Sequence, residues 1–263
     1  MSEAVKKDCG TALIKIALAE FDSDKNAVIM PRHEGLDIEL PKKLVYVFLD
    51  ECIDRYANEI GAKCVAKYDS LTKKYPVYVT EIRDEKIAFC QAPVGAPAAT
   101  MVMDWLIGYG CKTILASGCC GALEDIDENV FLVPSKALRD EGTSFHYAAP
   151  SRFIELDGKM RNLIKEGMKR RNIKYSECIT WSTDAFYRET PSKIEERKAE
   201  GCSVVDMECS ALTACARFRG ADYGQIIFTA DSLVDLDNYD VRGWGKDSFV
   251  KALELCLDLI RDF

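Results

Sequence analysis

Histidine is nearly missing from this chain: only His33 and His146 occur in 263 residues. None of the twelve cysteines is paired at C-x-x-C spacing, so the usual thiolate pairs of zinc and dithiol redox motifs are absent. No apolar run approaches the roughly 20 residues that a membrane-spanning helix requires. Basic clusters of five or more are also missing. The net charge of −8 removes the broad positive field that grips nucleic acid. The opening residues MSEAVKKDCG contain neither an apolar signal region nor a cleavage site. The expectation is a cytoplasmic protein with reduced thiols, most of them small buried apolar residues, with a zinc or redox site as the alternative.

What the chain does contain is ordinary for a folded protein. Hydrophobic residues make 48% and charged residues 30%, a balance that excludes wholesale disorder. Lys169-Arg170-Arg171, the longest basic stretch, falls in a helical pattern and reads as a solvated face. No repeat and no low-complexity linker divides the sequence. The reading is an N-terminal helical extension over residues 1–30 and one main domain over 31–263.

Strand and helix patterns alternate through that domain. Buried-strand runs are expected at 44–49, 62–67, 77–82, 86–92, 112–116, 130–133, 137–138, 177–181 and 226–229. Helices are expected at 53–60, 98–109, 157–172, 194–200, 204–218 and 246–260, with Pro97 at a position a helix start tolerates. This alternation implies α/β layers around a largely buried sheet. Ligands of such sheets collect beyond the carboxyl ends of strands. Four strand exits therefore matter: 49–55, 116–121, 181–188 and 229–233.

In Ser203-Val-Val-Asp-Met-Glu-Cys-Ser-Ala-Leu212, Glu208 follows Met207 at the start of an apolar helix. It either complements the helix dipole or accepts paired hydrogen bonds from a buried diol. The run Arg139-Asp-Glu-Gly-Thr-Ser-Phe-His-Tyr147 is a polar surface loop or a hydrogen-bonding site. Phe186 and Tyr187, where a strand breaks, either join the core or stack on a planar ligand. Asp231, at the end of a hydrophobic strand, either caps the next turn or serves as a proton donor.

Taken in order, Gly118-Cys-Cys-Gly-Ala-Leu123, RDEGTSFHY, STDAFYRE, VVDMECSAL and TADSL resemble the nucleoside phosphorylase-I family, which includes uridine phosphorylases and hexamer-type purine nucleoside phosphorylases. The resemblance runs from about Met30 to the C-terminus. It implies a single α/β domain with a central mixed, barrel-like β-sheet flanked by helices. It further implies homo-oligomers, dimers or hexamers assembled from dimers, whose sites are completed across a subunit contact. Free base and ribose-1-phosphate would be the products, and no metal or organic cofactor would be required, phosphate acting as co-substrate.

By this resemblance Met207 packs on the ribose and Glu208 binds its 2′- and 3′-hydroxyls. His33 corresponds to a histidine lent by a neighbouring subunit to the 5′-hydroxyl, and its own surroundings equally suit a surface residue. Phe186, Tyr187 and Val205 line the base pocket, and Asp231 is the acid at purine N7. Residues 183–193 contain no glutamine of the kind that reads uracil, which points to a purine. Phosphate would meet Arg55, Gly95, Cys119 and Lys73. Here the sequence departs from the family: Asp50 replaces a loop glycine, Ala116 an arginine, and Cys119 a Ser or Thr. A water-using nucleosidase, or a nucleoside-binding protein without catalysis, therefore stands beside the phosphorylase.

Overall fold

The computed structural model describes residues 16–263. Ten strands and six α-helices follow one another in this part. The strands are β1 (Lys43–Val47), β2 (Lys63–Asp69), β3 (Lys74–Ile82), β4 (Glu85–Gln91), β5 (Thr113–Ala122), β6 (Phe131–Asp140), β7 (Phe153–Glu155), β8 (Ser176–Thr183), β9 (Val204–Asp206) and β10 (Asp222–Ser232). The helices are α1 (Cys52–Glu59), α2 (Ala96–Gly108), α3 (Gly158–Arg170), α4 (Pro191–Ala199), α5 (Cys209–Arg219) and α6 (Phe249–Leu259).

All ten strands form one sheet, and part of it closes on itself. The path β10-β6-β8-β9-β5 returns to β10 through a further β10–β5 pairing, which makes a five-stranded mixed barrel. From β5 the sheet continues outward through β1, β4, β3 and β2, while β7 pairs with β6. The β1–β4, β1–β5 and β5–β10 pairings are parallel, and the outer β2–β3–β4 hairpins are antiparallel.

Alternation along the inner strands explains the layers. Leu44 and Tyr46 of β1 and Ile114 and Ala116 of β5 enter the core beneath α2 and α5. Their neighbours Val45, Val47 and Leu115 enter the opposite core with α1 and α6. A strand buried on both faces reads as a continuous apolar run, which is why these strands were legible. The first eight residues of α5 are all buried, so this part of the helix lies inside the fold. It ends at Gly220, whose left-handed φ of 72° closes the last turn.

Several expectations need correction. The strands read at 130–133 and 137–138 are one strand, β6; a register shift between Pro134 and Lys136 breaks its pattern, because proline gives no hydrogen to the ladder. The helix read from 204 begins as β9, since Val204 and Val205 pair with Ala122 and Gly121 to close the barrel. The strand read at 112–116 continues to Ala122, carrying the glycine-cysteine segment into the sheet beside β10. At the C-terminal helix, residues 246–248 form a 3-10 turn before α6. The extension read as helical over 1–30 shows, within its described part, one short 3-10 turn at Ala17–Ala19. Residues 1–15 lie outside the described residues.

Candidate active site

The ends of β8, β9 and β10 and the second half of β5 meet the starts of α2 and α5. Asp206, the last residue of β9, organises the centre. The hydroxyls of Thr180 and Ser182 each donate to its Oδ1 at 2.8 Å. The backbone N–H groups of Glu208 (2.9 Å) and Cys209 (2.6 Å) donate to its Oδ2. A buried carboxylate with four donors fixes the Met207–Glu208 turn and satisfies the first orphan N–H groups of α5.

Glu208 is buried to 7% exposure, and its Oε1 accepts the Gly95 N–H at 2.5 Å. Gly95 has φ +97° and caps the N-terminus of α2, so the carboxylate sits at the positive end of that helix dipole. Burial first, and the nearby Asp206 charge second, push the Glu208 carboxyl up to about 8. Met207 beside it is half-buried.

The RDEGTSFHY segment is tied into this centre from behind. Ser210 Oγ on α5 donates to Glu141 Oε1 at 2.8 Å, and the Ser144 N–H donates to Glu141 Oε2 at 2.9 Å. Ser182 Oγ accepts the Ser210 N–H at 3.1 Å. Arg139 donates to Ser144 Oγ, Ser151 Oγ and the carbonyls of Ala148 and Ala149. These residues brace the start of α5. Between the two readings of the segment, the buried bonds describe a scaffold for Glu208.

A cavity of about 300 Å³ is lined by Phe186, Tyr187, Glu189, Asp231, Leu233 and Tyr239, among others. Phe186 and Tyr187 meet edge to face at 5.1 Å, and Tyr187 stays 92% exposed. Asp231 is buried at the end of β10, and the Tyr239 hydroxyl donates to its Oδ2 at 3.0 Å. Burial raises the Asp231 carboxyl above its ordinary value. In the same cavity burial, reinforced by the Asp231 charge, pushes Glu189 up to about 8.

Gly121 joins the two halves. A Cβ there would lie 3.0 Å from Val205 and 3.5 Å from Asp231 Oδ1, so only glycine lets these side chains approach β5. Cys119, two residues earlier, is exposed within an otherwise buried strand. Desolvation by the surrounding protein, together with the charges of Asp231 and Glu208, pushes its pKa up to about 11, so the thiol is neutral. The charges of Asp231, Glu208 and Asp206 all act on the Cys119 thiol.

A family model, the phosphorylase superfamily, matches residues 45–258. The chain belongs to the phosphorylase superfamily. Among the relatives is the guanosine phosphorylase of Halorubrum lacusprofundi, 25% identical over an alignment of 204 residues that covers 72% of this chain and 81% of that protein. The fold matches purine nucleoside phosphorylase of Toxoplasma gondii at a TM-score of 0.69 and 22% identity, covering 86% of this chain and 94% of the other. AMP nucleosidase of Bacteroides thetaiotaomicron matches equally at 0.69 and 17% identity, covering 84% and 88%. The mixed barrel with outer strands is the architecture that these superfamily structures share.

Within this superfamily member the remaining site residues lie apart from the cluster. Arg55 is exposed on α1, where Asp54 beside it accepts the Tyr78 hydroxyl at 2.8 Å. Asp50 takes a φ of +55°, a left-handed position that aspartate tolerates better than most residues. Lys73 sits on the β2–β3 turn, 5.6 Å above the Tyr75 ring. Ala116 is fully buried. His33 turns its Nδ1 toward the Met30 carbonyl at 3.0 Å and lines a different cavity, with Met101, Trp105 and Arg219.

Glu189, Tyr239 and the bracing role of Asp206 escaped the sequence reading. Asp206 had one available signal, an acid two residues before Glu208 at the end of an apolar strand. Glu189 and Tyr239 had none, because only the closed barrel brings their loops to Asp231.

Proposed function

We propose that this protein cleaves the N-glycosidic bond of a purine nucleoside and releases the free base. One observation carries the reading: Asp231, a buried acid with a raised pKa, faces a cavity lined by Phe186 and Tyr187. Breaking the bond between C1′ and the base places positive charge on the ribose and an electron pair on the base. Glu208 accepts hydrogen bonds from the ribose diol, and its ionised form favours the cationic sugar. Asp231, protonated before the bond breaks, delivers its proton to purine N7. Phe186 and Val205 hold the base plane, and His33 is proposed to reach a neighbouring copy's 5′-hydroxyl in a homo-oligomer.

Phosphate is the nucleophile by analogy with the guanosine phosphorylase relative. Its oxygen attacks C1′ to give ribose-1-phosphate, with Arg55, Gly95, Cys119 and Lys73 as the candidate contacts. A second reading, water as the nucleophile, is favoured by a specific observation. The Gly95 N–H already holds the Glu208 carboxylate, and the charges acting most strongly on Cys119 are acids. A dianion set among them meets like charge. The two readings separate when inosine is incubated with and without phosphate and the products are resolved. Ribose-1-phosphate formed only with phosphate supports phosphorolysis; base and ribose released without it support hydrolysis. Binding with no turnover under either condition contradicts both.

A further inference from the structure

We propose that Tyr239 is the positioning residue of the general acid: its hydroxyl holds Asp231 Oδ2, which leaves Oδ1 to carry the proton to the departing base. This rests on the proposed nucleoside cleavage. The bond from Tyr239 is 3.0 Å long, and both residues line the same cavity. Oδ1 lies toward Gly121 and Val205, the side on which the Met207–Glu208 turn stands.

The loop after β10 is built to hold Tyr239 there. Ser232 and Asp240 exchange backbone hydrogen bonds at 2.8 and 3.3 Å. Asp235 accepts from the N–H groups of Asp237 and Asn238, which tightens the turn just before Tyr239. Beyond it, Glu128 accepts the Gly243 and Gly245 N–H groups, and Arg242 donates to the Ile126 carbonyl. A half-exposed tyrosine needs no such restraint for packing alone.

The chemistry gives the contact its purpose. As the C1′–N9 bond breaks, its electron pair passes to the base, and the Asp231 proton moves from Oδ1 to N7. Asp231 is then a carboxylate, and a donor already aimed at Oδ2 stabilises that charge without rearrangement. Tyr239 stays protonated throughout, because burial and the adjacent carboxyl hold its pKa above the ordinary tyrosine value. Arg242 from the same loop favours the ionised form of Asp231, and the groups on the facing elements that feel the Asp231 charge are Glu189, Cys119 and Cys120.

The test compares Tyr239→Phe with the wild type on inosine and on 7-methylinosine. The methylated purine already carries positive charge on its imidazole ring and leaves without a proton. On inosine, kcat should fall about tenfold with KM changed by less than about twofold, the size of one lost bond to a charged group. The limb where activity falls with rising pH should move to higher pH, because a carboxylate without its donor ionises less readily. The loss on 7-methylinosine should be several-fold smaller. Equal losses on the two substrates, or an unmoved limb, overturn the assignment of Tyr239 alone. Wild-type protein that releases base from neither nucleoside overturns the cleavage reading, and this inference with it. Tyr239 is 52% exposed, so the phenylalanine variant is expected to fold, and its melting temperature checks this.

Discussion

The two sides of the candidate site are built on different principles. Around Asp206, Glu208 and Asp231, every carboxyl group has named partners, and polar groups on three strands converge. Around Asp50, Arg55, Ala116 and Cys119 the side chains do not converge. Arg55 points from an exposed helix face, Ala116 is sealed in the core, and the Cys119 thiol is neutral among acids. Under the proposed function, the difference separates the groups that would hold a nucleoside from those that would select its attacker. A diol and a base need directed hydrogen bonds and a flat wall, whereas a phosphate dianion needs net positive charge. One half can therefore persist while the other is rebuilt.

Removing the organiser of the first half should have the largest effect. Asp206→Ala leaves four buried donors without their acceptor and should destabilise the fold by about 3 kcal/mol. Thermal unfolding would then show a melting temperature lower by roughly 6–12 °C. A variant as stable as the wild type would break the comparison, because the converging side would not depend on its hydrogen bonds.

Glu208→Gln should act more gently, raising KM for inosine about tenfold while the fold survives. The same variant sharpens a pH prediction. Glu208 and Glu189 both titrate near 8 in the folded chain, above the ordinary value of 4.5. Between those values the folded state holds protons that the unfolded state has released, so stability falls as pH rises. This stabilisation is full below pH 4.5 and lost as pH passes through about 8. The melting temperature of the unliganded wild type should decline over that window, and Glu208→Gln should flatten the decline. An equal slope in both proteins would mean that Glu208 is not held in its neutral form by burial.

The parts legible in the sequence are those fixed by local pattern. Leu44–Val47 and Ile114–Ala116 showed as continuous apolar runs because both faces of these strands are buried. Glu208 and Asp231 stood out as acids at the ends of such runs. The barrel was legible through the family resemblance but not from local pattern, because β9 is three residues long and its pairing with Gly121 and Ala122 depends on residues far away in the chain. For the same reason VVDMECSAL reads as one helix until the barrel pulls Val204–Asp206 into the sheet. Tyr239 lies in a polar loop whose composition suggests only a turn, and its bond to Asp231 exists only once β10 has delivered that loop. The Gly95–Glu208 bond was hidden too: the sequence assigned the two residues to different ligands, and folding joins them.

The most direct measurement is release of hypoxanthine from inosine by wild-type protein and by Asp231→Asn. The asparagine keeps the shape but has no acidic proton to give. Wild-type turnover with a loss of at least about 100-fold in the variant is the predicted result. Equal turnover in the two proteins, or none in the wild type, would contradict the account.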